Sequence, residues 1–281
     1  MAPAARLGEH ESDGSEDVHA ACEPRREVKL VLAGLGWAGS DVLRQAVAHP
    51  GIQDVYLVTH EPAAWMVDVR DTARELGIAW TTESINSADL PFAPDVISSV
   101  WYRNIIRPHI IDSVHGRIFN LHPSLLPRHR GCSSVPLAII EGDTETGVTA
   151  HYIESGVDTG RVLYQERVQI AEHETQLSLY DKCLRVAAMM WTESLRLVVE
   201  GSPGVEQEGQ GCHHPRGAPY DGKIDDSWDE GQVERFIRAM TFPPLPYATY
   251  RGQQVESLAA YRGLSVDNTI PGSASRTPTN R

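Results

Sequence analysis

The sequence predicts an α/β fold, a doubly wound and mainly parallel sheet with a small C-terminal α+β appendage. Three observations carry this. From Val28 onward, short apolar runs alternate with amphipathic stretches, the rhythm of strands returned to one sheet by helices. The turn Gly34-Leu35-Gly36-Trp37-Ala38-Gly39 joins the first apolar run to the first amphipathic one, and glycines suit a tight strand-to-helix turn. Beyond residue 205 the rhythm stops, and a Gly/Pro-rich stretch leads into one short helix and a hairpin pattern.

Residues 1–26 are rich in Ala, Glu, Ser, Asp and Gly and read as a disordered tail. Strands are expected at 28–33, 54–59, 78–80 and 95–100. Helices are expected at 40–49, with Ser40 as the cap, and at 68–76 and 108–114. A strand at 117–121 follows, then a helix at 135–141 and strands at 146–153 and 161–170. Residues 177–200 form a long helix, because Leu184, Ala187, Ala188, Trp191, Leu195 and Val198 recur at helical spacing. This domain spans 27–205. Residues 206–222 read as a linker or loop. The unit at 223–262 holds a turn into a strand at 221–225, a capped helix at 229–240, a Pro-rich break and a hairpin near 248–258. Residues 263–281 read as a second disordered tail.

The 281 residues are 41% hydrophobic and 22% charged, an ordinary globular composition with ample material for a core. The net charge of −13 argues against phosphate backbones as partners, since no Lys/Arg run offers a basic patch. Cys22, Cys132, Cys183 and Cys212 show neither CxxC nor disulfide-framework spacing, which suits a reducing cytoplasm. No signal peptide is expected at the start, and no apolar run approaches a membrane span.

Chemistry concentrates in residues 119–160. Asn120 and His122 are two apart at the end of an apolar run, so on a strand both side chains share a face. Pro123 then stops the ladder, having no N–H. Asp158 lies between Gly156 and Gly160, in a loop able to return a carboxylate to that strand end. An Asn amide can donate to an oxyanion. A His can move a proton near neutral pH with a carboxylate to orient it. Ser124 sits in a turn-like Pro-Ser-Leu-Leu-Pro segment, so no covalent nucleophile is evident and direct attack by a substrate amine is the simpler chemistry.

Asn120-Leu-His122, Ser124-Leu-Leu-Pro127, Arg130-Gly131, Thr146-Gly147-Val148-Thr149 and Asp158-Thr-Gly160, in this order, resemble the folate-dependent formyltransferase domain. The resemblance covers about residues 28–205 and echoes to about 255. It implies a Rossmann-like fold and 10-formyltetrahydrofolate as co-substrate. It also implies Asn120, His122 and Asp158 as the catalytic set for transfer of formyl to a primary amine. By the same resemblance Trp101, Tyr102, Arg103, Gly156 and Val157 border the folate. Gly34, Gly36, Ser124 and Arg130 border the acceptor.

The family includes enzymes acting on methionyl-tRNA, glycinamide ribonucleotide, sugar amines and amino acids. A full tRNA-binding barrel needs more chain than the C-terminal unit offers. The purine-pathway Gly-Ser-Asn loop is replaced by Gly36-Trp37-Ala38-Gly39-Ser40. The C-terminal hairpin favours an amino-sugar nucleotide or another small biosynthetic amine. The family's Trp after the Asp of the C-terminal motif is Asp226 here, a looser match. Formyl-folate hydrolases use the same triad, usually behind a regulatory domain for which the first 27 residues are too few.

Other readings compete. Gly34-x-Gly36-x-x-Gly39 matches a dinucleotide fingerprint, with Glu61 roughly where a ribose-binding acid falls. A nicotinamide oxidoreductase is therefore an alternative, against a plain glycine turn. A folate-binding scaffold without activity is a further one. Cys212-His213-His214 has the residue types of a metal site, but no second Cys/His cluster has zinc-like spacing, and the expectation is a solvated loop without metal. The small C-terminal unit could pair two subunits.

Overall fold

The computed structural model describes residues 27–266. Strand β1 (Val28–Gly34) is buried along nearly its whole length, and its alternating residues face two different cores. Leu30 and Leu32 pack with Val42 and Leu43 of α1 (Gly36–Ala48) and join the larger core cluster. Val31 and Ala33 point the other way, with Tyr56 and Val58 of β2 (Ile52–Val58). A strand covered on both faces reads as a continuous apolar run.

Helix α2 (Val69–Leu76) starts at Asp68, whose carboxylate accepts the Arg70 N–H, and ends at Gly77 in the left-handed region. Short β3 (Trp80–Thr81), β4 (Val96–Val100), α3 (Pro108–Ser113) and β5 (Ile118–His122) follow. Next come β6 (Arg130–Gly131), α4 (Ser134–Ile140), β7 (Glu145–Tyr152) and β8 (Val162–Gln169). Helix α5 (Gln176–Val199) begins in a capping box between Thr175 and Ser178. Its Trp191 is fully buried, with the indole N–H donating to Ser98 Oγ at 2.8 Å. The main sheet runs β3-β2-β1-β4-β5-β7-β8. It is parallel through β5, and β7 and β8 are antiparallel.

Beyond α5, β9 (His213–His214) pairs with β6 in parallel. Helix α6 (Glu230–Ala239) is capped by Asp229 and Gln232. Strands β10 (Ala248–Tyr250) and β11 (Gln253–Val255) make the hairpin, and α7 (Leu258–Val266) closes the unit. Its small core joins Val233, Phe236, Ile237, Ala248, Tyr250 and Val255.

The structure corrects several element readings. Ser40 does not cap α1, because the helix starts four residues earlier on the glycine turn; Ser40 is buried inside it. The third strand is displaced to Trp80–Thr81. Residues 206–222 are not a free linker, since His213–His214 add an edge to Arg130–Gly131. Residues 219–222 form a 3-10 turn, and Lys223 makes only an isolated bridge to Thr249. Helix α7 crosses the tail boundary expected at 263. The expectations for 1–26 and 267–281 lie outside the described residues. Among the described residues no helix is long and apolar enough to cross a membrane.

Candidate active site

Strand β5 carries the centre because it lies between parallel β4 and antiparallel β7. The register sets Asn120 opposite His151 and His122 opposite Thr149. Side chains at facing positions of an antiparallel pair share a face. Two strands therefore place four polar side chains together, at the carboxyl end of β5.

Each is held in a defined orientation. His122 Nε2 lies 2.9 Å from the His129 carbonyl. A carbonyl only accepts, so Nε2 carries a proton and donates. Nδ1 of the same ring faces Asp158 Oδ2 at 3.4 Å, a contact that is attractive with a proton between them. Asp158 Oδ2 also accepts the Gly131 N–H at 2.8 Å. Asp158 has φ +52, a left-handed backbone that only a few non-glycine residues adopt. Gln207 Nε2 donates to the carbonyls of Asp158 and Gly160, both at 2.8 Å, and so holds that loop.

His151 is the member that sequence reasoning missed. It is 2% exposed. Its Nδ1–H donates to the Tyr152 carbonyl at 2.7 Å, leaving Nε2 to accept from Asn120 Nδ2 at 3.3 Å. The other Asn120 N–H is thereby left to point elsewhere. His151 Nε2 is also 3.6 Å from Asp158 Oδ1. Burial pushes its pKa down to about 4, against the opposing pull of Asp158, with His122 adding to the lowering. A neutral imidazole agrees with the acceptor role of Nε2. The spacing Thr149-x-His151 on an apolar strand was a legible signal, but its pairing with Asn120 was not.

Other expected site residues are placed differently. Ser124 is fully buried, and its hydroxyl donates to the Arg128 carbonyl at 2.6 Å. It closes the Pro-rich turn. The Arg130 guanidinium donates to Gln207 Oε1 at 3.0 and 2.6 Å, so it braces the Asp158 loop. Gly156 and Val157 lead directly into Asp158, with Val157 exposed.

Trp101, with φ +59, bridges back to Gly34. Together with Gly36, Trp37, Trp65, Tyr180 and Phe242 it lines a hollow of about 230 Å³ at the start of α1. Tyr102 stacks on His60, and its hydroxyl accepts the Ile85 N–H at 2.9 Å. Arg103 lines a second, wider hollow of about 510 Å³ with Arg107, Arg216 and Asn86. Glu61 is paired with Arg70 at 2.6 Å, which engages the acid a dinucleotide ribose would need.

Residues 79–195 match the family model described as formyl transferase. The chain is 36% identical over 222 residues to the GDP-perosamine N-formyltransferase of Brucella melitensis, covering 76% of this chain and 86% of that one. The chain belongs to the folate-dependent formyltransferase family. This formyltransferase is also similar in fold to an N-formyltransferase from Helicobacter canadensis solved with folinic acid and dTDP-3-aminofucose. That match has TM-score 0.69 and 18% identity, covering 82% of this chain and 86% of that one. A 4-N formyltransferase from Francisella tularensis matches with TM-score 0.64 and 18% identity, over 81% and 95% of the two chains. The formyltransferase motifs on β5 and in the Asp158 loop are the ones that the geometry brings together.

Proposed function

We propose that this formyltransferase moves the formyl group of 10-formyltetrahydrofolate onto the primary amine of a nucleotide-linked amino sugar. The observation that carries the reading is the meeting of Asn120, His122 and Asp158 at one strand end, in a chain whose Brucella relative is a GDP-perosamine N-formyltransferase. The amine lone pair attacks the formyl carbon. The free Asn120 N–H donates to the oxygen that gains charge. His122 and Asp158 take up the proton that the attacking amine loses and deliver one to N10 of the folate as the tetrahedral intermediate collapses, the C–N10 bond breaks and tetrahydrofolate leaves. His151 keeps the Asn120 amide turned the right way. Trp101, Tyr102, Arg103, Gly156 and Val157 border the folate, and Gly34 and Gly36 the acceptor. The free Cys132, Cys183 and Cys212 fit a reducing cytoplasm.

The test is an assay with 10-formyltetrahydrofolate and a panel of GDP- and dTDP-linked amino sugars, read by mass spectrometry. The expected product is one amino sugar heavier by a single CO. Formylation of methionyl-tRNA with no amino sugar accepted would overturn the acceptor assignment. Stabilisation by NADH but not by folate would overturn the reaction.

A further inference from the structure

We propose that His129, Cys212 and His214 form a binding site for a divalent transition metal of the zinc class, beside the catalytic strand and separate from the transfer chemistry. Each of the three offers a ligand atom, and these lie within 4.8 Å of one another. His129 is 2% exposed, and its Nδ1 is a buried nitrogen with no hydrogen-bond partner; Nε2 of His214 is another. Buried imidazole nitrogens normally find a partner. Two such nitrogens beside a thiol are what a metal would satisfy.

The surroundings select the tautomer and the ligand state. His129 Nε2 is 3.1 Å from Asp143 Oδ2. A carboxylate there takes the Nε2–H, so the lone pair sits on Nδ1. Carboxylate orientation of a ligating imidazole is the usual outer-shell arrangement at metal sites. The backbone N–H of His129 lies 3.1 Å from Cys212 Sγ, a donor placed to support a thiolate. Arg128 pairs with Asp143 at 2.5 Å and with Glu141 at 3.6 Å. A cation therefore already serves the acidic side of His129, which points to the Cys/His side for the metal.

Local structure explains the grouping. Cys212 and His214 are two apart on the segment that forms β9, and two-residue spacing on an extended chain gives one common face. The Arg130 N–H donates to the Cys212 carbonyl and the Cys132 N–H to the His214 carbonyl, each at 2.9 Å. These bonds bring the segment against the loop that carries His129. Two imidazoles and a thiolate suit zinc or cobalt over magnesium or calcium, with water completing a tetrahedral set. Cys212 reaches solvent, which gives the ion a path in. The metal would clamp β9 to β6 and hold the carbonyl of His129, which anchors His122.

The test uses the full chain with the metal alone. Purified protein exchanged into metal-free buffer is given one equivalent of Zn²⁺ or Co²⁺, dialysed, and its metal content measured. The expected result is about one retained metal per chain. The Co²⁺ form should show a thiolate-to-cobalt charge-transfer band and strong tetrahedral d–d absorption. Cys212→Ser should abolish the charge-transfer band, and His214→Gln should weaken retention at least about tenfold. Cys132→Ser should change neither. Failure of the folded wild-type chain to retain metal would overturn the site, as would a cobalt spectrum indifferent to Cys212→Ser and His214→Gln.

Discussion

At the scale of single residues, the site depends on which nitrogen of each histidine is already committed. His122 gives Nε2–H to a backbone carbonyl and turns Nδ1 to Asp158. Asn120 gives one N–H to His151 and keeps the other. Replacing Asn120 by Ala should lower kcat about 10²–10³-fold with the fold intact, as for loss of an oxyanion donor. His122→Ala should cost about 10²–10⁴-fold. Steady-state kinetics with circular dichroism checks both, and near-normal turnover in His122→Ala would remove the assignment. His151 carries a stability prediction. Its folded pKa is lowered from 6.5 to about 4, so between those values the unfolded chain holds a proton that the folded chain lacks. Stability is retained above the window and falls as pH drops through it. Denaturant midpoints at neutral pH and near pH 4 should show the fall, and His151→Asn should flatten it.

At the scale of elements, the antiparallel return of β7 beside β5 is what assembles the polar face, and the β6–β9 clip is what holds its rim. Gly131 sits at φ +85, and a Cβ there would run into the carbonyl of His214. Its N–H also donates to Asp158. Gly131→Ala should therefore strain the backbone, at a cost of about 1–3 kcal/mol, and should loosen both the clip and the carboxylate. Thermal unfolding should report the first effect. Faster amide exchange across residues 207–214, with reduced kcat, should report the second. Unchanged exchange there would separate the clip from the site. Helix α5 acts at the same scale: its Trp191–Ser98 hydrogen bond ties it to β4, next to the strand that bears the chemistry.

At the scale of the whole molecule, two cores lie against opposite faces of one sheet, and a third belongs to the C-terminal unit. That unit is fastened to the main domain. The guanidinium of Arg235 donates to the Ile140 carbonyl at 3.1 Å, and that of Arg238 to the Glu174 carbonyl at 2.7 Å. Phe236 is fully buried in the small core, edge-on to Trp228 with ring centroids 5.0 Å apart. Phe236→Ala should destabilise by about 3–5 kcal/mol, and because α6 is tied to α4 the loss should appear in the main unfolding transition. A separate early transition with the main one unmoved would mean that the unit unfolds alone.

Local pattern determined much of this protein. Apolar runs and the glycine turn predicted the doubly wound sheet, the 229–240 pattern a capped helix, and the Asn-x-His pair a shared face on a strand, because each depends on neighbours in the chain. Tertiary structure alone decided the rest. Nothing around His151 announces that β7 runs antiparallel to β5, so its contact with Asn120 could not be read in advance. Ser124 looked available until burial and the Arg128 carbonyl engaged its hydroxyl. Residues 206–222 looked like a linker because their composition is that of a loop. Yet Gln207 braces Asp158 and His213–His214 pair with Arg130–Gly131. Contacts between segments some fifty to eighty positions apart depend on how the chain returns to itself, and periodicity within a segment holds no record of that.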